Sequence, residues 1–168
     1  MTDRKILAHA LTRDAFAPFG QVIDREGEPT PINGGKARRF DSGAFAEVSG
    51  DNARVGIGLV YATPYKFPLD LRMVERHPLG SQAFVPIEPA RFLVVVCPDE
   101  DGKPGAPQAF VTGFGQGVNY FPGTWHGVLT PIEDAQSFVI VDRRGDGNNT
   151  EEFHFDEPWE IHLPGMTG

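Results

Sequence analysis

Apolar and polar positions in this chain fall into short runs separated by turns. Strand-like stretches recur at residues 55–61, 69–77, 82–87, 91–97, 109–112, 117–121 and 137–142, rich in Val, Ile, Leu and Phe and bounded by Gly, Pro, Asn and Asp. One short helix is predicted over residues 12–19, where Thr12 supplies a cap, Asp14 suits the positive N-terminal end, and Pro18-Phe19-Gly20 stops the run. The separators are too short and too rich in turn residues for the helical crossovers that parallel strands require. The pattern predicts an all-β fold, an antiparallel barrel or sandwich with one or two short peripheral helices. Residues 24–35, 98–107 and 143–151 read as loops, and the tail from Pro158 as irregular.

Composition bounds the function. With 168 residues, 40% of them hydrophobic and 23% charged, the chain fits one globular domain, expected over residues 1–168. Twenty Gly and 15 Pro disfavour long helices and agree with many turns. A formal charge of -8 argues against nucleic acid and anionic membranes as partners. Cys97 is the single cysteine, so neither an intrachain disulfide nor a cysteine-based zinc cage can form, and it ends an apolar run where a buried inert thiol is expected. No apolar stretch has membrane-spanning or signal-peptide length, so a cytoplasmic protein is expected. Asn148-Asn149-Thr150 matches a glycosylation acceptor but reads as a polar turn.

Three places carry candidate chemistry. Period-two alternation puts Leu69, Leu71, Met73, Glu75 and His77 on one face, and the turn 78–81 returns the chain to Gln82, so Glu75, His77 and Gln82 meet at one end of a hairpin. In the segment 115–127, Pro122-Gly123 makes a turn and His126 opens the next strand. Together these segments resemble the two motifs of cupin barrels, in which neighbouring strands point such side chains into one concave interior. In the third place the apolar strand 139–142 runs into Asp142-Arg143-Arg144. There Asp142 is expected to hold Arg143 as a fork for a carboxylate, and Arg38-Arg39 after the Asn33-Gly34-Gly35 turn offers a second such pair.

The stretches 75–84, 116–120, Trp125-His126 and Asp142-Arg143 resemble the ureidoglycolate lyase family of allantoin catabolism, and Asn33-Gly34 agrees. The resemblance covers most of the chain and departs locally at Arg144 and over 121–123. It implies a cupin-type barrel, a homodimer, and cleavage of (S)-ureidoglycolate to glyoxylate and urea. That reaction needs a base for the hydroxyl proton, an acid for the departing nitrogen and a clamp for the carboxylate. His77 and His126 are suited to the proton transfers. Arg76, Arg143 or Arg39 would hold the carboxylate, and Gln82, Asn119 or Tyr120 would donate to the ureido oxygen. Glu75, His77, Gln82 and His126 would also suit a divalent metal, for which the resemblance points to nickel. Competing readings are a metal-dependent cupin isomerase or dioxygenase, and a noncatalytic sensor of small carboxylates.

Overall fold

A computed structural model describes residues 3–165. Its strands form two main sheets. The first has eight strands, running in the order Lys5–Leu7, Glu151–His162, Leu69–Arg76, Trp125–His126, Phe92–Cys97, Gln108–Val111, His9–Ala10, with Thr130–Pro131 also paired to Phe92–Cys97. The first and last strands in that order are separated only by Ala8, whose N–H donates to His162 O at 2.8 Å, so the N-terminal segment closes this sheet into a barrel. The second sheet runs Gly20–Ile23, Gly117–Tyr120, Gln82–Pro86, Gln136–Arg144, Arg54–Ala62 and covers one face of the first.

Two cores result, and the run 92–97 shows why. Every residue of this strand is buried, because alternate side chains enter different cores. Phe92, Val94 and Val96 join Phe16, Val22, Phe84, Val118 and Phe138 between the sheets. Leu93, Val95 and Cys97 join Leu71, Val74, Trp125 and Ile161 inside the first sheet. A strand buried on both faces reads as a continuous apolar run rather than an alternating one. Each large side chain so buried contributes about 1.5–3 kcal/mol. Burial pushes the Cys97 thiol up to about 12, which keeps it protonated and inert, as its position in the apolar run implied.

The strands expected from the sequence are present within a residue or two, and the fold is nearly all β, with one α-helix, Arg13–Phe16, and one 3-10 turn, Asn33–Gly35, among the described residues. The helix stops at Phe16 rather than Phe19, the expected loops 24–35 and 98–107 carry the short strand Thr30–Ile32 and the hairpin Asp99–Glu100/Lys103–Pro104, and three further expectations need correction. Pairing is antiparallel except for Lys5–Leu7 and His9–Ala10, each parallel to its neighbour; both come from the far N-terminus, where no hairpin constrains direction. The tail is not irregular: Glu151–His162 is the longest strand, and Pro158 is tolerated because it lies in the irregular stretch between His154 and Trp159. The alternation expected over 69–77 slips between Leu71 and Val74, opposite that irregularity. Leu69 and Leu71 therefore share the second core with Val74, and Glu75 faces the first core without them. Among the described residues no helix is long and apolar enough to cross a membrane.

Thr12 does cap the helix, its Oγ1 accepting from Ala15 N at 3.2 Å. The next residue, Arg13, pairs with Asp24, which also accepts from the Glu26 N–H at 2.9 Å and from Gln116 Nε2 at 3.1 Å. Burial disfavours the Asp24 anion, but these donors together outweigh it and lower its pKa below the ordinary 3.8. The stabilisation from such a depressed carboxyl is complete above the unfolded value and is lost as pH falls through the folded one. Asp24→Asn is expected to cost about 1–3 kcal/mol near neutrality. The gap to wild type should close as pH falls below the ordinary aspartate range, a difference that urea denaturation at the two pH values measures.

Candidate active site

The site lies at one end of the core between the sheets. Glu75 and His126 are register partners on adjacent strands, and His77 follows two residues after Glu75 at the strand end. Glu75 Oε1 is 3.7 Å from His77 Nε2 and 3.6 Å from His126 Nε2, so a glutamate sits between two imidazoles.

The rings are fixed from behind. His77 Nδ1 lies 2.9 Å from the backbone oxygen of Asn149, and His126 Nδ1 lies 3.0 Å from that of Thr124. A carbonyl oxygen only accepts, so each Nδ1 donates and carries the ring proton, leaving a lone pair on each Nε2. Both Nε2 atoms are buried and have no hydrogen-bond partner. Tyr120 lies flat on His126, with centroids 4.3 Å apart and planes 13° apart, and holds its ring plane.

Two bare imidazole lone pairs facing a carboxylate repel one another unless a positive charge lies among them. A proton or a metal ion supplies it. With protons on the Nε2 atoms, hydrogen bonding from His126 and then from His77 holds Glu75 far below the usual carboxylate range, against the effect of burial. Burial opposes protonation of His77, yet the Glu75 carboxylate, the Asn149 carbonyl and the more distant Asp142 charge outweigh it and raise its pKa above the ordinary 6.5. The ligand atoms of Glu75, His77 and His126 lie within 4.8 Å of one another, and these residues could hold a metal ion. The orphaned nitrogens and the hard–borderline donor set of one carboxylate and two imidazoles fit a divalent transition metal.

Beside this triad is a polar cavity of about 230 Å³ whose lining includes His77, Gln82, Asp142, Arg143, Asn149 and Thr150. Gln82 and Asp142 are register partners, in phase with Phe84 and Ile140, so both face the core between the sheets. Gln82 Oε1 is buried without a partner, which makes it available as a further ligand atom.

The other expected residues divide. Arg143 reaches the cavity, but it is not held by Asp142, since successive strand residues face opposite ways. Its Nε donates to Ser49 O at 2.6 Å and its Nη2 to Asp146 O at 2.9 Å. Close approach to Gly145, where an added Cβ would sit 2.6 Å from Arg143 Nη2, explains that glycine. Arg76 is not brought to the site. It points to the opposite face, over the Trp125 ring, and donates to Asp99 at 2.9 Å and Glu151 at 2.6 Å. Arg39 lies on the separate hairpin Thr30–Ile32/Ala37–Arg39, exposed and bound to Asp41. Asn119 faces outward from the second sheet, its Nδ2 donating to Gln21 Oε1 and Phe45 O. Tyr120 serves as packing for His126 rather than lining the cavity.

The turn 145–150, which in sequence reads only as a polar loop, belongs to the site. Asn149 orients His77 through its backbone and accepts from Leu79 N through Oδ1 at 2.7 Å. The dense Gly, Asp and Asn of that turn signalled a tight loop, but nothing local linked it to a histidine 72 residues away.

The sequence model of the family described as ureidoglycolate lyase matches residues 3–162. A protein named ureidoglycolate lyase from Chelativorans sp. (strain BNC1) is 62% identical over 96% of this chain and 98% of its own length. One of the same name from Mesorhizobium japonicum is 60% identical over 95% and 99%, and ureidoglycolate lyase 2 from Rhizobium meliloti is 51% identical over 90% and 93%. With its triad at the mouth of a two-sheet barrel and matches that run nearly end to end, this chain belongs to the ureidoglycolate lyase family.

Proposed function

We propose that the chain cleaves (S)-ureidoglycolate to glyoxylate and urea, a step of allantoin breakdown. The observation that carries this reading is the convergence of Glu75 with two oriented imidazoles beside a small polar cavity. Family membership supports the substrate. The hydroxyl proton leaves the carbinol oxygen, a carbonyl forms as the carbon–nitrogen bond breaks, and a proton returns to the departing nitrogen. Atoms balance with no co-reactant. Nε2 of His77, raised in basicity by Glu75, takes the first proton, and Glu75 stabilises the imidazolium. Arg143, with Arg144 beside it in the cavity wall, supplies positive charge for the substrate carboxylate. The test is release of equal amounts of glyoxylate and urea from racemic ureidoglycolate, with half of the racemate consumed. Ammonia in place of urea, or no product with and without nickel, would sink the reading.

His77, His126, Glu75 and Gln82 are also the residues that would hold nickel, whose positive charge would acidify the carbinol hydroxyl. A proton and an ion compete for the same lone pair at each Nε2. Chelation separates the two uses: turnover lost in chelator and restored by nickel assigns the triad to the ion, and insensitive turnover assigns it to the proton.

We further propose a homodimer formed through the edge strand Arg54–Ala62. Its outward side chains Ile57, Leu59 and Tyr61 are 79%, 72% and 72% exposed, and Val55 and the facing Val139 and Val141 extend the patch. Together these expose on the order of 500 Å² of apolar surface, toward the upper end of the largest patch an ordinary monomer leaves open and a large share of the roughly 800 Å² that each partner buries in a standard interface. Among the described residues this strand carries no proline and its pairing shows no register shift, and the same face of a second copy would bury the patch. Leu59→Lys should convert a dimer into a monomer by light scattering; a wild-type monomer would refute the proposal. The lone buried Cys97 supports a reducing, cytoplasmic setting.

A further inference from the structure

Asp142 stands out among the inward side chains. Its carboxylate makes no hydrogen bond among the described residues, and Oδ1 is buried without a partner. The nearest cation, Arg144 Nη2, is 3.7 Å away, beyond hydrogen-bond range, on a side chain that is 69% exposed. Asp142 itself is 15% exposed. A shielded carboxylate left without donors is destabilising, and one kept at a cavity wall calls for donors from water or from a bound molecule. Asp142 lines the cavity with His77 and Gln82, opposite Gln82 in register.

The missing partner must carry N–H or O–H donors. An ionised carboxylate only accepts, so a hydroxyl or N–H must face it, and a second carboxylate is repelled. Of the three arms of ureidoglycolate, only the ureido arm offers two parallel N–H bonds, on the side away from its carbonyl, spaced to meet the two oxygens of a carboxylate. Resting on the lyase reading, we propose that Asp142 determines specificity by accepting these two N–H bonds, while Gln82 Nε2 donates to the ureido carbonyl. The arrangement fixes the substrate's direction. The ureido arm points to Asp142, and repulsion from Asp142 and Glu75 turns the substrate carboxylate away from both. It also explains why a simple 2-hydroxy acid would be a poor ligand, since Asp142 would then stay unpaired.

Calorimetric titration tests this without turnover, using oxalurate, which keeps the ureido and carboxylate arms but has no carbinol to cleave, and glyoxylate, which lacks the ureido arm. Wild type should bind oxalurate at least about tenfold tighter than glyoxylate. Asp142→Asn should weaken oxalurate by about tenfold or more and leave glyoxylate within about twofold. Its melting temperature should equal or exceed that of wild type, because a shielded carboxylate with no hydrogen-bond donor has been removed; a purely structural aspartate would lower it. Asp142→Ser repeats the comparison if the Asn variant is poorly soluble. Equal weakening of both ligands, unchanged oxalurate affinity in the variant, or a wild type with no preference for oxalurate would overturn the assignment. The lyase reading stands or falls separately on urea release by wild type.

Discussion

His126→Ala is expected to abolish measurable urea release, a loss of at least about a hundredfold and up to about ten-thousandfold, the range for removing a positioned proton carrier or a metal ligand. The effect is large because His126 serves both uses of the triad. Its Nε2 is one of the two lone pairs aimed at Glu75, and no neighbouring group can take its place, since Tyr120 offers only a ring face. His126 is 2% exposed, so truncation also leaves a void between Tyr120 and Glu75. Melting temperature and circular dichroism separate that cost from the catalytic one. His126→Gln, which fills the space without an imidazole, should be equally inactive and more stable than the alanine variant. His154→Ala, at an exposed site outside the cavity, should retain wild-type turnover. A His126→Gln protein with wild-type urea release would remove His126 from the reaction.

Glu75→Gln is expected to lower kcat/KM by about a hundredfold or more while preserving the fold, since glutamine matches glutamate in shape but removes the charge between the imidazoles. The pH dependence carries the sharper signature. In metal-free protein the His77 ring should titrate above 6.5 in wild type and fall in the variant, because the carboxylate that offsets its burial is gone. Proton NMR of the imidazole ring follows this directly. Stability responds from both partners. The depressed carboxyl of Glu75 contributes above its ordinary value of 4.5 and loses that contribution as pH falls. The raised pKa of His77 contributes below its ordinary 6.5 and loses that contribution as pH rises through the folded value. The stability gap between wild type and Glu75→Gln should therefore be widest between about 4.5 and 6.5 and narrow on either side. A gap independent of pH would mean that the carboxylate and the imidazoles are not coupled.

The triad was legible in sequence because its members sit at strand ends that local patterns mark. Glu75 and His77 are two apart before the turn Pro78-Leu79-Gly80-Ser81, and His126 follows the turn at Pro122-Gly123. Strand spacing then requires that a small antiparallel barrel bring such ends together. The arginines were not legible. Alternation sets Arg76 on the face opposite His77, but only the phase of the strand decides which of the two faces enters the cavity. That phase depends on the irregularity opposite it in Glu151–His162, a strand that its alternating Glu, His and Asp residues hid. Asp142 was noticed for its neighbour Arg143, whereas backbone alternation sends the two to opposite faces, leaving Arg143 bound to loop carbonyls and Asp142 without a partner.

The sequence by itself determined the all-β class, the positions of most strands, the inert cysteine and the three residues of the triad, because each rests on periodicity or turn chemistry acting over a few residues. Only the tertiary structure decided that the first sheet closes through residues 5–10, that the run 92–97 feeds two cores, and that Asp142 rather than Arg76 or Arg39 lines the cavity. Those outcomes depend on which strands pair and in what register. Register is set by the fit of whole faces across distant segments, and a slip of one residue exchanges every inward side chain for an outward one.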